Sequence, residues 1–214
     1  MRKIGTLMPL GCAIAVLLGI SQLEASTVTG TLAADNSIYS TTLTLPTMET
    51  LTAYTTSYAG GMNLDATSTS GGGFAPLLTL FSVSTGNVAA LSSMGTPGNC
   101  GMAGTDSATG LCNDAYLNAV LGAGQYVLDL TEFPNVANGG INDGFLAGSD
   151  ANFTGTNCSG TGQFLESDVA PCVQRTNAYT LNISTSAASP VPEPATLWFA
   201  AGALLAAGLI RRSK

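Results

Sequence analysis

Gly122-Ala123-Gly124-Gln125-Tyr126-Val127-Leu128-Asp129-Leu130-Thr131 is the stretch that decides the fold. Tyr126, Leu128 and Leu130 alternate with Val127, Asp129 and Thr131. A period of two places one set on each face of a pleated strand, where a helix would need 3.6. The Gly-Ala-Gly in front of it marks a tight hairpin, so residues 115–121 form the other arm.

The same pattern extends in both directions. Tyr179, Leu181 and Ile183 alternate with Thr180, Asn182 and Ser184, and similar runs occupy 28–32, 38–45, 51–58, 77–83 and 88–91. Threonine and tyrosine fill them, as half-buried strands prefer. About eight short strands without a helical pattern predict an all-β domain. We expect a two-sheet sandwich, jelly-roll-like, with no internal repeat. Three irregular stretches interrupt the strands, at 59–75, 92–113 and 133–177. Loops of that length inside a domain are usually functional or disordered, and their cysteines argue for order.

Charge narrows the function classes. The 214 residues include six Lys or Arg, thirteen Asp or Glu and no histidine. Without histidine there is no Ser-His-Asp or Cys-His constellation and no His-ligated metal. The net charge of −7 argues against nucleic acid as a partner. Five of the six basic residues sit in the two terminal segments, which leaves residues 26–189 with eleven acids, Arg175 and no lysine. That excludes Schiff-base chemistry and phosphate-binding P-loops.

Both ends read as addresses. Arg2 and Lys3 precede an apolar run over residues 4–20, and Ala25 offers a small residue before Ser26. Residues 1–25 are therefore expected to be a signal peptide, helical in its apolar run and cut by signal peptidase between Ala25 and Ser26. At the other end, residues 195–210 are apolar and Arg211-Arg212-Ser213-Lys214 follows. Sixteen helical residues rise about 24 Å, short of a bilayer core of about 30 Å, and arginine snorkelling reduces the mismatch. The positive-inside rule keeps this basic end cytoplasmic and turns the preceding domain outward. The expected precursor is thus anchored in the inner membrane by a C-terminal transmembrane helix and faces the periplasm.

Val191-Pro192-Glu193-Pro194, the apolar span and Arg211-Arg212 together resemble the PEP-CTERM sorting signal of Gram-negative bacteria that make exopolysaccharide. The resemblance covers residues 190–214. It implies removal of the tail by an exosortase-type membrane protease and delivery to the cell surface or extracellular matrix. Proline cannot continue a helix, so such a motif holds an extended segment just outside the membrane.

A second resemblance lies in the middle. Leu78-Thr79-Leu80-Phe81, Asp114-Ala115-Tyr116-Leu117, Asp143-Gly144-Phe145, Asn152-Phe153-Thr154-Gly155 and Tyr179-Thr180-Leu181 look like a family of exported proteins that often carry such tails. These in turn look like bacterial pre-peptidase C-terminal domains. The resemblance implies a β-sandwich without catalysis of its own.

Four cysteines remain in 26–189: Cys100, Cys112, Cys158 and Cys172. An even number in an exported chain reads as disulfides with three connectivities open, and the spacing favours Cys100 with Cys112 and Cys158 with Cys172. No residue set reads as a metal site and no cofactor is expected. Were Ca²⁺ bound, Asp106, Asp114, Asp143 and Asp150 are the candidate ligands, since they fall in or beside the cysteine loops and calcium takes six to eight oxygens. No catalytic residues are expected, since no acid pair is set up in sequence for hydrolysis. The function read from the sequence is an exported structural or binding component of the envelope or matrix. The alternative is a glycan- or calcium-dependent adhesive module that contacts exopolysaccharide through Tyr54, Tyr58, Phe74, Phe133, Phe145, Phe153 or Phe164.

Overall fold

The computed structural model describes residues 25–95 and 104–187. In chain order these hold β1 (Ala25–Thr31), β2 (Tyr39–Leu45), β3 (Glu49–Thr55), β4 (Gly60–Met62), β5 (Ser68–Ser70), β6 (Pro76–Ser82), β7 (Val88–Leu91) and β8 (Ser93–Gly95). Then follow β9 (Cys112–Leu121), β10 (Gly124–Glu132), α1 (Phe153–Asn157), β11 (Leu165–Glu166), β12 (Val173–Gln174) and β13 (Ala178–Ala187). The fold is all-β. One antiparallel sheet has the order β1-β13-β3-β9-β8 and a second has the order β2-β10-β6-β7.

Each of the eight expected runs is a strand, and the period-two residues make the core. β9 and β10, expected as the arms of one hairpin, are instead unpaired with each other, because the turn at 122–123 carries the chain from one sheet to the other. Tyr126, Leu128 and Leu130 of β10 pack with Leu78 and Leu80 of β6, and against Leu51, Ala53, Leu117, Leu181 and Ile183 of the other sheet. Leu78, Leu80, Leu128, Leu130 and Leu181 are fully buried. Burying such a side chain contributes about 1.5–3 kcal/mol each, which is what joins the sheets.

The outer faces differ from the expected polar-out pattern. Thr79, Phe81, Asp129 and Thr131 point away from the core yet are buried, because residues 133–150 fold back over that face. Phe145 meets Phe81 edge-on at 6.3 Å, and the Thr131 hydroxyl donates to the Asn135 carbonyl at 2.8 Å. On the other sheet, Asn182 is buried beneath the β4–β5 hairpin. Its amide donates to Asn63 Oδ1 at 3.1 Å and its Oδ1 accepts from Thr27 and from the Leu64 N–H, each at 2.9 Å. The stretches expected as irregular loops therefore contain order of their own: the β4–β5 hairpin, the β11–β12 pair and α1. Elements of two to five residues are too short to show a hydrophobic period.

Registers fix which ends lie together. Ala25 pairs with Ser184, Glu49 with both Ala187 and Leu121, and Gly124 with Leu45. That end is closed by short turns, at 46–48, 83–87 and 122–123, and it carries both ends of the described sandwich. The opposite end collects the long connections 32–38, 56–75 and 133–177, together with 104–111 ahead of β9.

Candidate functional site

The long-loop end is organised around Arg175, the sole basic residue among those described. Arg175 follows β12 and is 6% exposed. Its Nε donates to the Gly73 carbonyl at 2.9 Å and its NH2 to the Tyr58 carbonyl at 2.7 Å. Both terminal nitrogens reach the Asp106 carboxylate, at 3.2 and 3.3 Å. The guanidinium carbon stands 4.1 Å from the centre of the Tyr58 ring. One planar fork thus ties together 56–75, 104–111 and 133–177, a geometry that arginine supplies and lysine cannot.

The acids of this end act as internal acceptors. Loop backbone has no ladder partner, so buried N–H groups need side-chain oxygens. Asp106 accepts from the N–H groups of Ala108 and Thr109 and from the Thr109 hydroxyl, which in turn lies 2.9 Å from the Tyr58 hydroxyl. Burial pushes Asp106 upward, but hydrogen bonds from Arg175 and Thr109 outweigh it and hold its carboxyl below the ordinary value. Asp114 accepts from the Thr55 hydroxyl at 2.8 Å and from the N–H groups of Tyr58 and Ala59 at 3.0 and 2.8 Å. Burial nevertheless raises its carboxyl above the ordinary value. The same cause raises the Tyr58 phenol. Glu166 accepts from Asn113 Nδ2 at 3.2 Å and from the Asp168 N–H at 3.3 Å.

Asp35, absent from the sequence-derived candidates, is fully buried. One of its oxygens accepts from the N–H and hydroxyl of Thr154, at 3.0 and 2.5 Å, and the other from the Phe164 N–H at 2.8 Å. It thereby fastens α1 and the segment before β11 to the β1–β2 connection. Glu132 lies beside it, 2% exposed, with Oε2 facing no donor. Burial, followed by the Asp35 charge and hydrogen bond, raises Glu132 to about 10.

The four candidate calcium ligands occupy separate roles. Asp106 pairs with Arg175 and Asp114 fixes the residues after β3. Asp143 and Asp150 are exposed and brace local turns, accepting from the Gly140 and Asn152 N–H groups at 2.7 and 3.0 Å. Among the described residues no group of three or more His, Cys, Asp or Glu converges to hold a metal. Of the aromatic candidates, Tyr54, Tyr58, Phe74, Phe153 and Phe164 are buried; Phe133 and Phe145 are half-buried. Their spacing in loops and strands gave no means of telling a core ring from a surface ring.

Cys158 and Cys172 form a disulfide with a Cα–Cα separation of 6.1 Å, which closes the loop from α1 to β12. Cys112 is also disulfide-bonded. Cys100, its expected partner, lies outside the described residues, as do the signal segment 1–24 and the tail residues Val191, Pro192, Glu193, Pro194, Arg211 and Arg212. Ala25 and Ser26 are the first two residues of β1, paired with Ser184 and Ile183. Among the described residues no helix is long and apolar enough to cross a membrane.

The signal that could have located this site was the lone arginine itself, since a single base among eleven acids must find a partner when buried. No family model matches the chain, and neither a curated protein nor a solved structure is similar to it.

Proposed function

We propose that this protein is an exported, non-enzymatic jelly-roll sandwich that serves as a structural or binding component of the cell envelope or extracellular matrix. Its precursor is held in the inner membrane by residues 195–210 and released when an exosortase-type protease acts at Pro192-Glu193-Pro194. The strand order supports the jelly-roll reading: β1, β2, β3 and β6 alternate between the sheets, β9 and β10 lie in different sheets, and β13 returns beside β1.

One observation carries the reading. β1, whose first two residues flank the expected signal-peptide cut, pairs with β13, the last described strand before the tail, so the described chain begins and ends at the short-turn end. A precursor anchored through either terminus projects the loop end away from the bilayer. At that loop end Arg175, Asp35, Asp106 and Asp114 are taken up by internal hydrogen bonds, which supports a scaffold more than a reaction site.

Mass spectrometry of the endogenous protein, with and without the host's exosortase, tests this. The expected mature mass runs from Ser26 to a residue near Pro190, so tyrosine emission persists and tryptophan emission, from Trp198 alone, is lost. A mature mass that retains Trp198 and Arg211 in the presence of exosortase overturns it.

A further inference from the structure

We propose that the short-turn end of the sandwich rests on the lipid surface while the chain is anchored, through an apolar rim formed by Met48, Val83 and Val120. This inference rests on the anchored precursor described above and adds to it a contact and an orientation.

Three exposed apolar side chains lie at this end. Val120 is 65% exposed and pairs with Thr50, two residues from Met48, which is 61% exposed. Val83 is 44% exposed, and its N–H donates to the Gln125 carbonyl beside the 122–123 turn. These positions flank the turn that carries the chain from β9 in one sheet to β10 in the other, with exposed Ala123 at its tip. Apolar side chains at the ends of strands gain nothing from water and gain free energy at a lipid interface.

Chain length says what covers the rim. Seven residues, 188–194, separate the end of β13 from the apolar span. Even fully extended they reach only about 25 Å, and their prolines favour an extended course. Ala187 is the register partner of Glu49, the residue after Met48, so this tether pulls the rim toward the bilayer.

Charge favours the same orientation. Glu49 and Asp143 are the acids nearest this end; the remaining acids lie along the sheets or at the loop end. Anionic headgroups repel the acidic loop end and leave the nearly uncharged rim as the face that approaches closest. With no lysine in the domain the contact is apolar and not Coulombic.

Single-tryptophan variants of the membrane-anchored chain test the assignment. In a Trp198→Phe background, Val120→Trp and Met48→Trp report on the rim, and Ile38→Trp, 44% exposed in the β1–β2 connection, reports on the loop end. Each is reconstituted in vesicles of brominated phosphatidylcholine, after circular dichroism confirms an unchanged strand signal. The expected result is co-flotation with the vesicles, loss and blue shift of emission for Val120→Trp and Met48→Trp, and neither for Ile38→Trp. Flotation without rim quenching, or with equal quenching at Ile38→Trp, overturns the lipid contact and leaves the anchor standing. Unquenched rim emission that shifts with protein concentration assigns the rim to a second copy and overturns the lipid assignment. A chain that does not float overturns the anchored precursor, and this proposal with it.

Discussion

Glu132, the last residue of β10, is buried beside Asp35 of the β1–β2 connection, and its carboxyl is held protonated at neutral pH. Asp35 already receives three hydrogen bonds from Thr154 and Phe164. It is the acceptor that fixes the largest loop, so the two carboxyls meet where that loop is fastened to the sandwich. A proton on Glu132 removes the repulsion and gives Asp35 another donor.

This pair makes stability fall toward alkaline pH. Glu132 titrates near 10 in the folded chain and near 4.5 when unfolded. The folded state therefore binds the extra proton, and the stabilisation is complete below about pH 4.5 and lost as pH rises toward 10. Glu132→Gln keeps a donor for Asp35 and needs no proton. It is expected to match the wild type near pH 5 and to exceed its stability at pH 8 by up to about 4 kcal/mol. Urea unfolding across pH 5–9 measures both slopes; parallel slopes would exclude Glu132 as the titrating group.

Arg175 is expected to be the costliest single polar side chain to remove. Arg175→Met leaves the Gly73 carbonyl without its donor, the Tyr58 carbonyl with the Gly72 N–H alone, and Asp106 without its counter-charge, all in buried surroundings. Breaking such a pair costs about 3–5 kcal/mol. Lysine cannot reproduce the fork, so Arg175→Lys recovers less than half of that loss. The acid limb follows the same logic. Asp106 titrates below its ordinary value, so its stabilisation is present above about pH 4 and lost as pH falls through its lowered folded value. That limb flattens in Arg175→Met, as chemical denaturation between pH 2 and pH 6 reads out.

The disulfide between Cys158 and Cys172 closes a short loop with a sequence separation of 14. In the chain-entropy model a loop of that size contributes about 3 kcal/mol. The double substitution Cys158→Ala/Cys172→Ala should lower stability by about that amount. It should also open residues 155–163 and 167–172 to protease before any strand of the two main sheets, because Asp35 still holds Thr154 and Phe164 in place. Limited proteolysis with mass mapping distinguishes this from global unfolding, which cleaves β6 or β10 at the same rate.

The core was legible because its residues obey one local rule. Tyr126, Leu128 and Leu130, and Tyr179, Leu181 and Ile183, announce their faces by alternation alone. The same rule misplaced Asp129, Thr131 and Asn182, which alternate as surface residues do but are covered by segments with no period to read. Asp35 and Glu132 are far apart in the chain, and only the antiparallel arrangement of β2 and β10 carries them to one end. The acids near the cysteines suggested a cation; the folded chain instead spends Asp106 on Arg175 and Asp114 on the N–H groups after β3. Composition gave the number of acids, but not which backbone donors they would face.

Gly73 tests whether the arginine hub tolerates any side chain at its centre. Its carbonyl receives Arg175 Nε, and its backbone runs against both 57 and 178. A Cβ there would stand 2.6 Å from the Ala178 carbonyl oxygen and 2.8 Å from that of Ser57. Both are backbone atoms that cannot rotate away, so the 57–58 and 72–73 segments must separate and draw the Gly73 carbonyl from Arg175. Gly73→Ala is therefore expected to cost about 1–3 kcal/mol from overpacking, and more if the Arg175 bond breaks as well. Gly122 supplies the contrast: a Cβ there meets nothing within 4 Å, so Gly122→Ala should be neutral or stabilise by up to about 1 kcal/mol. Thermal unfolding of the two variants side by side decides it, since equal melting temperatures would mean that the hub has slack the packing does not show.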